Sequence, residues 1–386
     1  MEHGAARNAL TRNGHDRKPA VTSASITAAV AAHNQGITLA NAGDFHGAAS
    51  SLRQAVALAG RDGVDPRTLK ALWQAAIACD DWKTGVGAGF AAADRDPADA
   101  PFIQQVMLSL ARCPQSALLD GDAFPALPLP DNLPSLSVVL VSRDDARFKA
   151  VDAEYQRAFA HWPHERIRIN DARSMYDGYA RGFAQAQGEV VVFSHDDLRF
   201  AVPDFAARLA RAMTDSDMVG VAGTTRVAGP ALLWTGHPHL FGAITQKAEG
   251  DPAYEFAVLS LRGPHIREAQ GLDGVFIAAR RACIERIGFD IHRYAHFHFY
   301  DLDFTYRAHL AGARVTIAAD LGLIHRSRGS FDEHWYAAQR AFADKFGFAY
   351  EAPGATRHWY AVPLRDAAEV TAMYAKLIRA WNLGLG

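Results

Sequence analysis

The sequence predicts an α/β domain on a mostly parallel central sheet, preceded by an all-α region of helical hairpins. Three observations carry this reading. Before about residue 131 the chain is Ala-rich and helical in spacing, with no good strand candidate. After it, short Val/Ile-rich runs alternate with amphipathic segments, the order of a parallel sheet with right-handed crossovers. Between the two lies FPALPLPDNLPSL (124–136), whose prolines at 125, 128, 130 and 134 remove backbone donors and disfavour helix. The expected organisation is a disordered tail (1–22), a helical domain (23–120), a Pro-rich linker (121–135), an α/β domain (136–350) and a C-terminal helical extension (351–386).

The helical region carries NQGITLANAGDFHGAASSLRQAVAL, starting at Asn34. Gly36, Leu39, Gly43, Ala48, Leu52 and Ala55 alternate small and large residues, so that two helices can approach closely around a Gly43-Asp44 turn. A weaker copy places its turn at Asp80-Asp81-Trp82, and an incomplete third pair lies around Phe102 to Arg112. These segments resemble tetratricopeptide helical hairpins, and a generic helical bundle remains the alternative.

In the α/β region, LSVVLVS (136–142) is a nearly continuous apolar run, as for a strand buried on both faces. Residues 146–161 read as helix, 166–170 as strand, 174–187 as helix, 189–194 as strand, 203–214 as helix and 218–223 as strand. Ligands of such sheets bind at the carboxyl ends of the strands. The strand GEVVVFS ends there in His195, Asp196 and Asp197. A C-terminal helix over Leu364 to Trp381, apolar at Val370, Met373, Leu377 and Trp381, is expected to pack on the α/β domain.

Composition narrows the function. At 49% hydrophobic and 21% charged the chain is ordinary globular protein, and its formal net charge of -2 gives no field for nucleic acid or anionic lipid. Three widely spaced cysteines, Cys79, Cys113 and Cys283, make no CxxC motif and fit a reducing compartment. No stretch approaches the ~18–20 apolar residues of a membrane span. The simplest expectation is a cytoplasmic protein, soluble or peripheral at the inner face of the membrane.

Hard oxygen ligands such as Asp196 and Asp197 suit Mg²⁺ or Mn²⁺ shared with phosphate. Asp171, just past the second strand, can accept hydrogen bonds from a ligand or cap the next helix. Asp301 and Asp303 lie near a helix start, where carboxylates are favourable without any function. His325 ends a short strand and is followed by Arg326 and Arg328, which could face phosphate. Asp273 lies between glycines that suggest close approach to a ligand, or a simple turn. Trp234, His237, His239 and Phe241 form an aromatic run suited to sugar faces, and the spacing of the two histidines argues against zinc. His296 and His298 lie in what reads as a flexible loop beside Asp301.

Four pieces in order, LSVVLVSRDD, AQGEVVVFSHDDLRF, GLDGVFIAARRACIERIGFD and YDLDFTYRAHLAGARVTIAADLGLIHRSRGS, resemble the family 2-like glycosyltransferases of GT-A fold. The resemblance implies an inverting, metal-dependent transfer of a sugar from a nucleotide-sugar donor to a hydroxyl of a glycan, lipid-linked glycan or protein. It assigns Asp301 as general base, and Asp197 and His325 as ligands of Mn²⁺ or Mg²⁺. It gives Asp171 to the nucleobase and Asp196 to the ribose or the metal; beside it, Asp273 is expected to bind sugar or acceptor hydroxyls, and Arg326 and Arg328 the donor phosphates. Three departures stand out. Arg143-Asp144-Asp145 replaces the usual base-binding stretch after the first strand. Tyr300-Asp301 replaces the usual Glu-Asp pair, and His195 replaces a common Asp, with no role assigned. A non-catalytic tetratricopeptide-type adaptor with a degenerate nucleotide-binding module is the rival reading. A nucleotidyltransferase ranks third, because no glycine-rich phosphate loop follows the first strand. The helical region is expected to recruit the acceptor, dimerise the chain or bind a protein partner.

Overall fold

The computed structural model describes residues 22–119, 124–229, 238–248, 250, 253–294, 296–327, 332–349 and 359–383. Most of the expected N-terminal tail, the start of the linker, Trp234, His237 and Arg328 lie outside the described residues.

Helices α1 (Ser23–Asn41) and α2 (Phe45–Gly63) form a hairpin. Gly43 turns it at φ 83°, and Asp44 caps α2 by accepting from the Gly47 amide. Gly36 permits the close contact, since a Cβ there would lie 2.6 Å from Leu52 Cγ. Helices α3 (Pro66–Ala78) and α4 (Trp82–Arg95) repeat the arrangement, with Asp80 in the turn at φ 60° and Asp81 capping α4. Helix α5 (Ala100–Arg112) and the short α6 (Gln115–Leu118) follow. The described part of the linker is tied down: the Leu127 amide donates to Asp204 Oδ2 at 2.7 Å, and buried Arg208 donates to the Pro125 carbonyl at 2.8 Å.

The α/β region then runs β1 (Leu136–Val141), α7 (Asp145–Ala158), β2 (His164–Ile169), α8 (Met175–Gln185) and β3 (Val190–Ser194). Next come β4 (Leu198–Phe200), α9 (Phe205–Met213), β5 (Met218–Gly220), β6 (Ala222–Thr224), β7 (Leu240–Lys247), β8 (Tyr254–Val258), β9 (His265–Ile266) and β10 (Gly271–Leu272). The chain continues through β11 (Phe276–Arg280), α10 (Arg281–Ile287), α11 (Tyr300–Leu310), β12 (Val315–Ala318), β13 (Leu323–His325) and α12 (Glu333–Phe346). It closes with β14 (Tyr360–Leu364) and α13 (Ala367–Trp381).

Among the described residues the central sheet has the order β2-β1-β3-β11-β5-β12-β9. Strand β1 lies parallel between β2 and β3, β11 runs antiparallel to β3 and β5, and β12 is parallel to β5. Val138 to Leu140 and Val190 to Phe193 are wholly buried, which explains their unbroken apolar runs. A second sheet runs β10-β6-β7-β13-β4, with β8 on β7 and β14 on β8. The single strand expected over 218–223 is two short strands in different sheets. Strand β6 lies close against β10: a Cβ on Gly223 would lie 2.2 Å from the Gly271 carbonyl.

The C-terminal extension is strand and helix, and it joins the two regions. Lys376 on α13 donates to the carbonyls of Ala111 and Cys113 at 2.7 and 3.1 Å, satisfying the end of α5. Gln104 on α5 donates to the Ala361 carbonyl in β14 at 3.0 Å. One apolar cluster therefore runs from Leu52 and Leu110 through Tyr374 and Phe256 to Val138.

Asp303, which the sequence explains as a helix-terminal charge, is instead fully buried. It accepts from Tyr176 and Tyr294 hydroxyls at 2.6 and 3.2 Å, Arg307 Nε at 2.9 Å and Lys345 Nζ at 2.6 Å. This fastens α11 to α8 and α12. Asp303→Ala removes the carboxylate of Arg307, leaves Lys345 with Asp290 alone, and should cost about 3–5 kcal/mol in urea unfolding. A loss under about 1 kcal/mol, the range of an exposed pair, would show that the network does not hold α11.

Candidate active site

Strand β3 ends at Ser194, and His195 to Asp197 turn the chain into β4. Strand β13 pairs antiparallel with β4, with His325 opposite Leu198. This register sets His325 beside Asp197, with Nε2 3.3 Å from Oδ1. The other carboxylate oxygen accepts the Ser327 amide at 3.0 Å, and the Asp197 carbonyl accepts the Arg326 amide at 3.1 Å. Burial works to raise the Asp197 carboxyl, but hydrogen bonding and charge from His325, with Ser327 adding to them, hold it well below the usual range.

His195 completes the group. Its Nδ1 lies 3.1 Å from His325 Nε2, and its Nε2 lies 2.8 Å from the Tyr300 hydroxyl. Burial lowers the His195 pKa, and the neighbouring His325 lowers it further. One ligand atom from each of His195, Asp197 and His325 falls within a 4.8 Å span. Two imidazoles and a carboxylate are a donor set that fits a divalent first-row ion. Sequence reasoning left His195 without a role. The available signal was its position two residues before Asp197, at the same strand end.

Asp196 points elsewhere. Its Oδ2 accepts the Ser142 hydroxyl at 2.7 Å, and Arg147 Nη1 lies 4.0 Å from Oδ1. Arg147, Asp197, Arg326 and Ser327 line an open cleft of ≈ 250 Å³. Asp171 stands at the same carboxyl edge of the sheet, past β2, exposed and paired with Arg181 at 2.6 Å. It does not cap α8; Ser174 does, accepting from the Asp177 amide. Arg143 donates to the Ala172 carbonyl, and its guanidinium lies 5.6 Å from the Phe297 ring centre.

Asp301 occupies the first turn of α11. Phe299 precedes that turn in the left-handed region at φ 60°, rare for an aromatic residue. Burial pushes the Asp301 carboxyl up to about 7, and nearby Asp273 adds to the rise. The Gly274 amide donates to Asp301 Oδ2 at 2.8 Å, and the Gly274 carbonyl accepts from the Tyr300 hydroxyl at 3.5 Å. A Cβ on Gly274 would lie 2.4 Å from that hydroxyl and 2.7 Å from Asp301 Cβ. The close approach read from these glycines is therefore to α11. Asp273 turns the chain here, accepting the Val275 amide at 2.9 Å.

This fold and this gathering of groups at the strand ends are those of a glycosyltransferase-type domain. A model of the glycosyltransferase-like family matches residues 153–346, just over half of the chain, and the chain belongs to that family. Its central sheet is that of a GT-A architecture, behind an N-terminal all-helical region. A search of curated proteins finds no match. Similar solved structures include GalNAc-T7 with UDP, GalNAc and Mn²⁺, at 13% identity and TM-score 0.34, covering 53% of this chain and 46% of that one. This chain thus spans less than half of that protein's length. Another is the mannosyltransferase PcManGT from Pyrobaculum calidifontis in complex with GDP-Man and Mn²⁺, at 13% identity and TM-score 0.35, covering 77% of this chain and 84% of that one. No helix among the described residues is long and apolar enough to cross a membrane.

Gly274→Ala should force α11 away and cost about 1–3 kcal/mol by overpacking. The checks are the unfolding midpoint and the crystal position of Asp301. An unshifted helix with unchanged stability would contradict the packing role.

Proposed function

We propose that the chain is an inverting glycosyltransferase that moves a sugar from a nucleotide-sugar donor to an acceptor hydroxyl of a glycan, lipid-linked glycan or protein. The observation that carries this is the pairing of two unlike groups at one sheet edge. One is the His195–Asp197–His325 cluster, and the other is Asp301, a partly buried carboxyl raised to about 7. His195, Asp197 and His325 would hold Mn²⁺ or Mg²⁺, which when bound offsets the diphosphate charge of the leaving group. Arg147 and Arg326 line the cleft beside Asp197 and would pair with diphosphate oxygens.

Asp171 and Asp196 stand past β2 and β3, where they would accept hydrogen bonds from the nucleoside, and Asp273 would take sugar or acceptor hydroxyls. Asp301 takes the acceptor proton as the hydroxyl attacks. A base with a pKa near the working pH is efficient, contributing about 10²–10⁴-fold. One carboxylate acting in a single displacement inverts the anomeric centre. A non-catalytic adaptor would have no use for a raised carboxyl together with a metal-fitting cluster. The helical region would recruit the acceptor or pair two chains.

Incubation with a panel of sugar nucleotides, acceptors and Mn²⁺ should release nucleoside diphosphate and give a product of inverted anomeric configuration by proton NMR. Asp197→Ala should abolish transfer and leave the fold intact; transfer that persists in excess chelator rejects the metal role. Asp301→Asn should lower kcat about 10²–10⁴-fold with donor affinity kept, and near-normal turnover would remove it as base.

The pH dependence has a defined sign. Asp301 must be ionised to act, so kcat/KM should fall as pH drops below about 7 and level off above it. A carboxyl raised on folding stabilises the protein least when ionised. Its contribution should therefore fade as pH climbs from the ordinary carboxyl range through 7, and Asp301→Asn should remove that slope in thermal unfolding. A pH profile and melting curve unchanged in the variant would contradict the assignment.

A further inference from the structure

We infer that His296, His298, Asp332 and His334 form a Zn²⁺ site that clips the loop ahead of α11 to the start of α12. The site shares no residue with the cluster of His195, Asp197 and His325, and it does not depend on the proposed reaction.

Two short motifs supply the ligands. The loop between α10 and α11 carries His296-Phe297-His298, and Asp332-Glu333-His334 opens α12. Each motif repeats a metal-binding side chain at i and i+2, which alone is too little for zinc. The fold sets the two motifs against each other in opposite directions. The His296 ring stacks on His334, with ring centres 4.0 Å apart and planes 31° from parallel. His298 Nε2 lies 3.5 Å from Asp332 Oδ1, long for a charge-assisted hydrogen bond of about 2.7–2.9 Å. The pairs are neighbours of one another as well. Burial lowers the His298 pKa, and Asp332, His334 and His296 all act on it by charge.

The donor chemistry fits zinc. Imidazole nitrogen and carboxylate oxygen are ordinary zinc ligands in sites of four, at about 2.0–2.2 Å. Around a tetrahedral ion such atoms lie about 3.3–3.4 Å apart, so the His298–Asp332 pair nearly spans one edge already. The same ion would hold two imidazole centres about 5 Å apart, which asks the stacked pair to open by roughly an ångström. Both of those rings are exposed and can turn to do so.

Asp332 is oriented before any ion arrives. Its Oδ1 accepts the Trp335 amide at 2.9 Å, and this bond keeps the carboxyl below its usual range. The amino end of a helix is partly positive and opposes a cation, and the Asp332 and Glu333 carboxylates offset that charge.

The consequence is mechanical. The loop brings the Phe297 ring to 5.6 Å from the Arg143 guanidinium, which follows β1. It then passes through the left-handed Phe299 into the turn that bears Asp301. An ion in the clip fixes this loop on α12.

The test uses the full-length protein carrying Asp197→Ala, which disables the strand-end cluster and leaves the clip intact. Titrated with Co²⁺ as a stand-in for Zn²⁺, it should show the strong visible absorption of a tetrahedral ion, and Zn²⁺ should displace that signal. His298→Ala and His334→Ala in this background should each weaken binding at least about tenfold, since changes even to outer-shell partners cost about 10–100-fold. Amide exchange over 289–299 should slow on addition of Zn²⁺, and should not respond in the His334→Ala protein. His334 is exposed, so its replacement leaves the fold intact, as circular dichroism verifies. A weak octahedral spectrum, binding unchanged by both replacements, binding only in millimolar ion, or loop exchange indifferent to Zn²⁺ would each overturn the inference and leave the glycosyltransferase reading in place.

Discussion

Everything at the site depends on one short antiparallel pairing, β13 against β4. Leu323 to His325 would otherwise be two apolar residues and a histidine far along the chain. Paired with Leu198 to Phe200, they deliver His325 to the residue that follows β3. The backbone reinforces the placement, since the amides of Arg326 and Ser327 both turn toward Asp197. A buried carboxylate so surrounded is charged and fixed in direction. That is what a cation needs before any diphosphate arrives, because the cost of ordering the ligands has been met by folding.

The opposite wall is organised by the Gly274 peptide. Its two polar groups go to adjacent residues of α11, the amide to Asp301 and the carbonyl to Tyr300. Asp303, on the same first turn, anchors the helix through a buried network. Asp301 and Asp303 look alike in sequence yet have opposite characters. Asp303 is surrounded by cations and hydroxyls, whereas Asp301 is partly desolvated near another carboxylate and shifts upward. A carboxyl without a cation in a dry setting is poised to accept a proton near neutrality.

Much of this was legible along the chain. Continuous apolar runs marked the parallel strands, and their carboxyl ends pointed to Asp197, Asp171 and the region of the site. The turns at Gly43-Asp44 and Asp80-Asp81 followed from local turn chemistry. What escaped depended on contacts between distant segments. His195 and Tyr300 meet only when β3 and α11 pack, so neither residue alone could reveal its partner. The split of 218–223 into two strands follows from their distant partners, β11 and β12 for β5 but β7 and β10 for β6, which periodicity does not encode. Strand β14 was missed because part of its stretch read as the start of a helix, and its pairing partner, β8, lies about a hundred residues earlier. Gly274 drew attention for the right physical reason, close approach, but the approaching group is a helix.

The arrangement makes one direct demand on a ligand complex. Crystals grown with Mn²⁺ and a nucleoside diphosphate, measured at the manganese absorption edge, should show an anomalous peak within ligand distance of His195, Asp197 and His325, with the diphosphate lying toward Arg147 and Arg326. An ion bound elsewhere, or a diphosphate seated without contact to Asp197 or the ion, would contradict the assignment of this strand end as the catalytic centre.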